Sequence, residues 1–226
     1  ERNSIENSDE IKRKLTAEVN AAYEKALENA KELSKTRIFA GNLFSKNVCE
    51  ELRFLDMPSV RFAVDIKDCP LCENGIDKVE FLLSANVGED LKPLSKIASG
   101  GELSRIMLAI KSVLSEKDGI STLVFDEIDT GVSGSAAQKI AVKLKQVSRS
   151  HQVICVTHLA QIAAYADEHL FISKSEHDGQ TYTELKSLSF DERKSELARI
   201  MGGFEVTSAM LESAEQMLLS ANKVDK

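Results

Sequence analysis

Three side chains in the second half of the chain have the types and spacing needed to act on a phosphoanhydride. Asp126 and Glu127 follow the apolar run 122–125, and His158 follows a second apolar run, 153–156. Magnesium prefers carboxylate oxygens and keeps several of its waters, so one carboxylate at a strand end can hold it. The adjacent carboxylate can orient or deprotonate an attacking water. This pattern indicates ATP hydrolysis, with Asp126 on magnesium, Glu127 on water and His158 donating a hydrogen bond to the γ-phosphate.

An anion site is predicted upstream, at Ser99-Gly100-Gly101-Glu102, just before an apolar series with helical spacing. Ser99 and Glu102 have the spacing of a capping box, which marks the start of a helix. The two glycines are unusual there, because each costs about 1 kcal/mol relative to alanine inside a helix. They are explained if a ligand must approach the backbone amides, and the N-terminus of a helix favours phosphate. A capping box alone carries no chemistry; its combination with the strand-end residues favours function.

The elements around these residues predict an α/β fold. The two apolar runs are separated by a helical pattern over 136–147, which we interpret as a strand–helix–strand crossover with parallel strands. The first run reads as a strand buried on both faces. Asp126, Glu127 and His158 then lie at the carboxyl ends of neighbouring strands, where open α/β sheets bind ligands.

The first third of the chain predicts one long helix. Apolar residues recur at steps of three and four over 9–33 with charged flanks, a spacing close to that of a coiled coil. An ordinary surface helix accounts for the pattern equally well. The helix is expected to continue to Leu52, with Gly41 as a weak point, and to end at Met57-Pro58.

A hairpin and five further elements complete the prediction. Alternating apolar residues over 60–66 and 79–85 indicate an antiparallel hairpin whose polar loop holds Cys69 and Cys72. The remaining elements are a short helix at 159–166, a strand at 170–172 turning at Asp178-Gly179 into a strand at 182–185, and two closing helices, one ending at Gly202-Gly203 and one over 208–220.

Composition limits the function classes. The chain has 226 residues, 42% of them hydrophobic, and a net charge of −7, which argues against a wholly basic nucleic-acid-binding surface. No apolar run approaches the roughly 20 residues of a membrane span, and no signal peptide is visible. Because the first residue is Glu, we expect a piece of a longer protein. The cytoplasm is its default location. The four cysteines read as reduced, structural thiols, and the Cys69/Cys72 pair lacks the second pair that a zinc site needs.

These motifs resemble those of ABC-type ATPases. Ser99–Glu102 resembles their signature motif, 123–127 their Walker B strand and Thr157-His158 their switch histidine. The longer runs SGGELSRIMLAIK, TLVFDEIDTGVSGSAA and QVICVTHLAQIAAYADEHLFISK resemble the RecN family of bacterial SMC-like DNA repair proteins, densely over 55–176.

The resemblance implies a role for each site residue. Asp126 would bind Mg²⁺, Glu127 would be the catalytic base and His158 would sense the γ-phosphate. Ser99, Gly100, Gly101 and Glu102 would contact ATP held by the opposite subunit, and the D-loop, from Asp129 to Ser133, would cross the dimer interface. Ser133 departs from the wider pattern, in which ABC transporters and SMC proteins have Asp.

The resemblance also implies half of an ABC/SMC-type P-loop NTPase head, with 1–55 as the returning end of a coiled coil and 56–226 as the C-terminal lobe. The sequence contains no GxxxxGK[ST] phosphate loop. We therefore expect an inactive fragment that needs a separate Walker A lobe, with apolar surface exposed, or otherwise compensated, where that lobe pairs with the sheet. An ABC transporter subunit is excluded because it would carry the phosphate loop in the same chain.

The implied whole protein is an ATPase for DNA double-strand break repair and recombination. Its expected partners are ATP, a second head and DNA ends, and its expected location is the bacterial cytoplasm, at the nucleoid. The alternative is a structural DNA tether of the SMC/SbcC type, in which ATP only joins the heads. Loss of Glu127 discriminates the two, because it would trap dimers of an enzyme and change little in a tether.

Overall fold

The computed structural model describes residues 2–86, 88–96, 100–114, 119–177, 180–203 and 205–221, with side chains from residue 9 onward. The chain divides into two compact units. The first comprises Glu1–Cys49 and Ser59–Lys96, and the second comprises Glu50–Pro58 and Ile97–Lys226. The hairpin thus groups with the long helix in this division.

The first unit consists of one long helix and a small antiparallel sheet. Helix α1 spans Arg2–Phe54 without interruption, and its last residues belong to the second unit. The sheet has the order β1-β2-β3, with the strands β1 (Arg61–Cys72), β2 (Gly75–Ser84) and β3 (Lys92–Pro93). The predicted long helix and hairpin are confirmed, and the helix ends before Met57-Pro58 as predicted.

Gly41 does not interrupt the helix, and its lack of a side chain lets the helix approach the sheet. A Cβ atom at Gly41 would lie 3.3 Å from the Cβ of Val64, a tight contact with the facing strand. Nearby, the rings of Phe44, Phe62 and Phe81 pack together with centroids 5.5 to 5.8 Å apart. Helix and hairpin of the first unit therefore share an apolar core.

The prediction that the hairpin loop holds Cys69 and Cys72 is wrong, because both residues lie in strand β1. Pairing of the hairpin resumes past an irregularity between Asp68 and Cys72, where Cys72 pairs with Gly75. The turn is therefore shorter than the spacing of apolar residues suggested. All four cysteines are free, as predicted.

The second unit contains the predicted crossover. Strands β4 (Thr122–Phe125) and β5 (Gln152–Cys155) pair in parallel, from Thr122 opposite Gln152 to Phe125 opposite Cys155. The helices and strands of this unit are α2 (Gly100–Leu114), β4, α3 (Gly134–Val147), β5, α4 (Ala160–Ala163), β6 (Leu170–His177), β7 (Gln180–Ser187), α5 (Phe190–Gly202) and α6 (Ser208–Ala221).

Strand β4 is buried on one face only, which corrects the prediction of burial on both. Leu123 and Phe125 are 7% and 5% exposed, whereas Val124 is 65% exposed and its cross-strand partner Ile154 is 46% exposed. The other face of this two-stranded sheet is not covered by the described part of the chain. The sequence predicted either exposed apolar surface or a compensating contact at this sheet, and the structure has the exposed surface.

The chain closes with a hairpin and two helices. Strands β6 and β7 pair antiparallel, and the predicted turn at Asp178-Gly179 lies outside the described residues. Helix α5 begins with a capping box of Ser189 and Glu192, and buried residues of α5 and α6 form one apolar core with α4. No helix in the described ranges is long and apolar enough to cross a membrane.

Candidate nucleotide site

The structure places Asp126, Glu127 and His158 where the sequence predicts, beyond the carboxyl ends of β4 and β5. All three side chains are exposed, and that of His158 is 74% exposed. Oδ1 of Asp126 accepts a hydrogen bond from the backbone N–H of Glu127 at 2.9 Å. Because the strands are adjacent and parallel, these groups lie at one edge of the sheet and face solvent.

The backbone of Glu127 is strained. Its φ angle is +56°, in the left-handed region that residues other than glycine rarely adopt. A turn follows immediately, in which the N–H of Thr130 donates to the carbonyl of Glu127 at 3.1 Å. Strain of this kind persists only where the surrounding structure enforces it, and it concentrates at functional sites. The sequence carried no signal of it.

Gly100 and Gly101, at the start of α2, pack against this same turn. A Cβ atom at Gly100 would lie 2.5 Å from Oε2 of Glu127, and one at Gly101 would lie 2.8 Å from Cβ of Thr130. The glycines thus permit a close approach, as the sequence indicated. Within this chain, however, the approaching group is the turn after β4, a contact that sequence analysis did not foresee.

Two further residues of α2 hold the turn and were missed from the sequence. Oγ of Ser104 donates to the carbonyl of Asp126 at 2.8 Å. Arg105, only 7% exposed, donates from Nη1 to the carbonyls of Ile128 at 3.3 Å and Thr130 at 2.9 Å. Burial lowers the pKa of the Arg105 guanidinium below its usual range. The available signal was an arginine among apolar residues of helical spacing, four positions after Gly101 on the same face.

Asp129 is buried and bonded within the chain. It is 3% exposed, and its Oδ2 accepts hydrogen bonds from Oγ1 of Thr157 at 2.5 Å and from the backbone N–H of His158 at 2.8 Å. Nδ1 of His158 lies 3.1 Å from the same oxygen. The turn after β4 is therefore tied to the segment after β5, and the side chain of Asp129 faces the interior of this unit.

The other predicted site residues have different surroundings. Ser133 is exposed and precedes α3 in an extended conformation, and its side chain makes no capping hydrogen bond. Glu102 is half-buried in the first turn of α2. Ser99 lies outside the described residues, and so does its capping interaction with Glu102.

Cys155 lies at the end of β5, and its free thiol is half-buried. Burial, followed by the charges of Asp129 and Asp126, raises the pKa of its thiol to about 12. Because the thiolate is the reactive form of cysteine, this shift lowers the reactivity of the thiol at neutral pH. Its interpretation as a small packing residue is consistent with that environment.

The donor set at the sheet edge fits magnesium held jointly with phosphate. Asp126 is exposed, and its Oδ1 is bonded to the Glu127 amide. Among the described residues no group of three or more His, Cys, Asp or Glu side chains could hold a metal ion. Magnesium commonly binds one or two carboxylates together with waters and substrate phosphates, so a single carboxylate is sufficient here.

This architecture defines the class of protein. The fold is similar to that of the SMC head domain with a coiled coil and joint from Pyrococcus yayanosii, with 24% sequence identity and a TM-score of 0.57 over 90% of this chain and 35% of that structure. The fold is therefore α/β, that of part of an SMC-type head domain.

The particular relatives are RecN proteins. The chain is 45% identical to the DNA repair protein RecN of Halalkalibacterium halodurans over 80% of its own length and 33% of that protein's. It is 41% identical to RecN of Bacillus subtilis strain 168 over 97% of its length and 41% of that protein's. These matches confirm the resemblance to RecN. The chain spans 33% and 41% of the length of these two relatives. No protein-family model matches it.

Proposed function

We propose that this chain supplies the catalytic half of an ATPase head in a bacterial SMC-like protein of DNA double-strand break repair and recombination, working at the nucleoid. The observation that carries the proposal is the convergence of Asp126, Glu127 and His158 at one sheet edge, beside the N-terminus of α2. The similarity to RecN proteins supports the biological process.

Each residue at this edge has a distinct role in the proposal. Glu127 orients and deprotonates the attacking water, for which its exposed carboxylate is accessible. Asp126 holds Mg²⁺, while its Oδ1 stays bonded to the Glu127 amide at 2.9 Å. When bound, the metal neutralises charge on the phosphates of ATP. His158 contacts the γ-phosphate.

The start of α2 and the D-loop serve the opposite head. Ser99 and the amides of Gly100 and Gly101 would contact the γ-phosphate of ATP held by a second copy, because a helix N-terminus presents free amides to an anion. Glu102 would belong to the same nucleotide-binding motif. Ser133 is exposed and its hydroxyl caps no helix, which leaves it accessible to the partner. The site is thus completed across a head-to-head homodimer.

The exposed sheet face supports the need for a separate Walker A lobe. Val124 and Ile154 are cross-strand neighbours and together form an exposed apolar pair. A lobe that packs on this face would cover them and bring the phosphate loop that the sequence lacks. We therefore expect this chain alone to be inactive. DNA ends are bound by the assembled protein.

The long helix supports the coiled-coil assignment of residues 1–55, with 56–226 as the ATPase lobe. Ile11, Leu15 and Val19 on α1 are 57%, 56% and 65% exposed. These residues begin the apolar series over 11–33, whose steps of four and three are typical of a seam that packs on a second helix.

The test measures ATP-dependent association of the chain mixed with its Walker A lobe. Glu127→Gln should accumulate dimers in ATP, because binding is kept while hydrolysis is lost. Glu168→Gln, which removes an exposed carboxylate elsewhere, should behave like the wild type. Analytical ultracentrifugation reads the dimer fraction. Equal, stable dimers of wild type and Glu127→Gln in ATP would favour the structural tether.

A further inference from the structure

Asp129 and His158 of the second unit are in contact, although one side chain is buried and the other is exposed. The carboxylate of Asp129 is 3% exposed, whereas the imidazole of His158 is 74% exposed. Their contact joins Oδ2 of Asp129 to Nδ1 of His158 at 3.1 Å. The buried carboxylate of Asp129 thus contacts one edge of the exposed imidazole ring of His158.

The hydrogen-bond pattern fixes which atom carries the proton in this contact. The same Oδ2 accepts the backbone N–H of His158, which can only donate. It also faces Oγ1 of Thr157, whose lone pair accepts from the N–H of Leu159 at 3.1 Å and whose hydrogen is therefore available to Asp129. Because Oδ2 acts as an acceptor throughout, Nδ1 of His158 must be the donor.

We infer that Asp129 is a positioning residue that fixes the tautomer and orientation of His158, with Nδ1–H directed inward and Nε2 presented to a ligand. Tautomer selection by a partner on the other ring nitrogen is the general behaviour of histidine. The inference concerns the geometry of the ring; only the identity of the ligand, the γ-phosphate, rests on the proposed function.

This arrangement changes the chemistry expected of His158. In the neutral ring with hydrogen on Nδ1, Nε2 has a lone pair and accepts a hydrogen bond, for example from water. To donate to a phosphate, as the sequence suggested, the ring must carry hydrogens on both nitrogens. The Asp129 carboxylate, 3.1 Å away, would balance that positive charge.

A purely structural role for Asp129 makes a different prediction. Its bonds to Thr157 and to the backbone of His158 could serve only to shape the segment after β5. In that case the ring would choose its tautomer freely, and free histidine side chains carry the hydrogen mainly on Nε2. The tautomer of His158 therefore distinguishes a positioning role of Asp129 from a purely structural one.

The test is ¹⁵N NMR of the 226-residue chain with labelled histidine, at about pH 9, above the ordinary histidine pKa near 6.5. His158→Gln identifies the His158 signals by their loss. The wild type should show hydrogen on Nδ1 of His158. Asp129→Ala should change it to the Nε2–H form, whereas Thr157→Val, which keeps the Asp129–ring contact, should not.

Two outcomes would overturn the inference. The first is an Nε2–H ring in the wild type, which needs no variant and is decisive even if Asp129→Ala fails to fold. The second is an unchanged Nδ1–H ring in Asp129→Ala with the signals of His151 and His169 in place. Because no nucleotide is added, this result is independent of whether the chain takes part in ATP hydrolysis.

Discussion

Residues 126–127 and residue 129 belong to one turn, yet their carboxylates have opposite environments. Asp126 and Glu127 point to solvent, whereas Asp129 is 3% exposed and faces three donor groups of the segment after β5. Carboxylates whose partners are inside the chain stabilise it, and those left exposed at a strand end are available to act on a ligand. Residue type alone does not distinguish a structural carboxylate from one that is available to a ligand, whereas burial and hydrogen-bond partners do.

The largest expected effect contrasts Asp129→Ala with Asp126→Ala. Removing Asp129 leaves the His158 N–H and the Thr157 hydroxyl without their acceptor in a nearly closed site. We expect a loss of about 2–4 kcal/mol in the free energy of unfolding, against less than about 0.5 kcal/mol for Asp126→Ala. Urea unfolding measures both. Equal losses would remove the distinction between the carboxylates.

The two glycines of α2 give the next largest contrast. A Cβ at Gly101 would meet Cβ of Thr130 at 2.8 Å and two backbone carbonyls at 3.0 and 3.1 Å, which cannot easily move. A Cβ at Gly100 meets the end of the flexible Glu127 side chain. Gly101→Ala should therefore destabilise the chain by about 1–3 kcal/mol, and Gly100→Ala should be near neutral. Thermal unfolding of the two variants measures this difference. A Gly101→Ala variant more stable than the wild type would contradict the close packing of Gly101 against the turn after β4.

The strained backbone of Glu127 predicts a smaller difference. Glu127→Gly and Glu127→Ala remove the same carboxylate, but only glycine adopts a φ of +56° without strain. The glycine variant should be more stable than the alanine variant by about 1 kcal/mol. Chemical denaturation compares them directly. If alanine is equally stable, the turn does not enforce this conformation.

Glu192 also lies near the surface, but unlike Asp126 and Glu127 it has a structural role, in the capping box of α5. Hydrogen bonds from Lys186 and Ser189 lower its pKa from 4.5 to about 2. The lowered value means that the folded state favours the ionised form, so its contribution to stability is present above pH 4.5 and is lost as the pH falls towards about 2. Unfolding measured across this range should show a shallower decline in Glu192→Gln. An identical pH dependence would contradict the shift.

The sequence predicted those features that depend on periodicity and local chemistry. The parallel strand–helix–strand unit, the placement of Asp126, Glu127 and His158 beyond its strands, and the closing helices follow from apolar spacing and strand-end residues. Asp129 and Arg105 were not understood from the sequence, because their roles arise from contacts between segments more than 20 residues apart. One-sided burial of β4 was missed since an apolar strand does not reveal whether its second face is covered within the same chain.

The most direct test of the central claim is ATP turnover, with and without DNA, by this chain mixed with its Walker A lobe. Turnover should appear only in the mixture and should fall by at least about 100-fold in Glu127→Gln, since a positioned general base contributes about 10²–10⁴-fold. Glu168→Gln should retain wild-type turnover. Turnover by the chain alone, or full activity of Glu127→Gln in the mixture, would contradict the assignment of this sheet edge as half of an ATPase site.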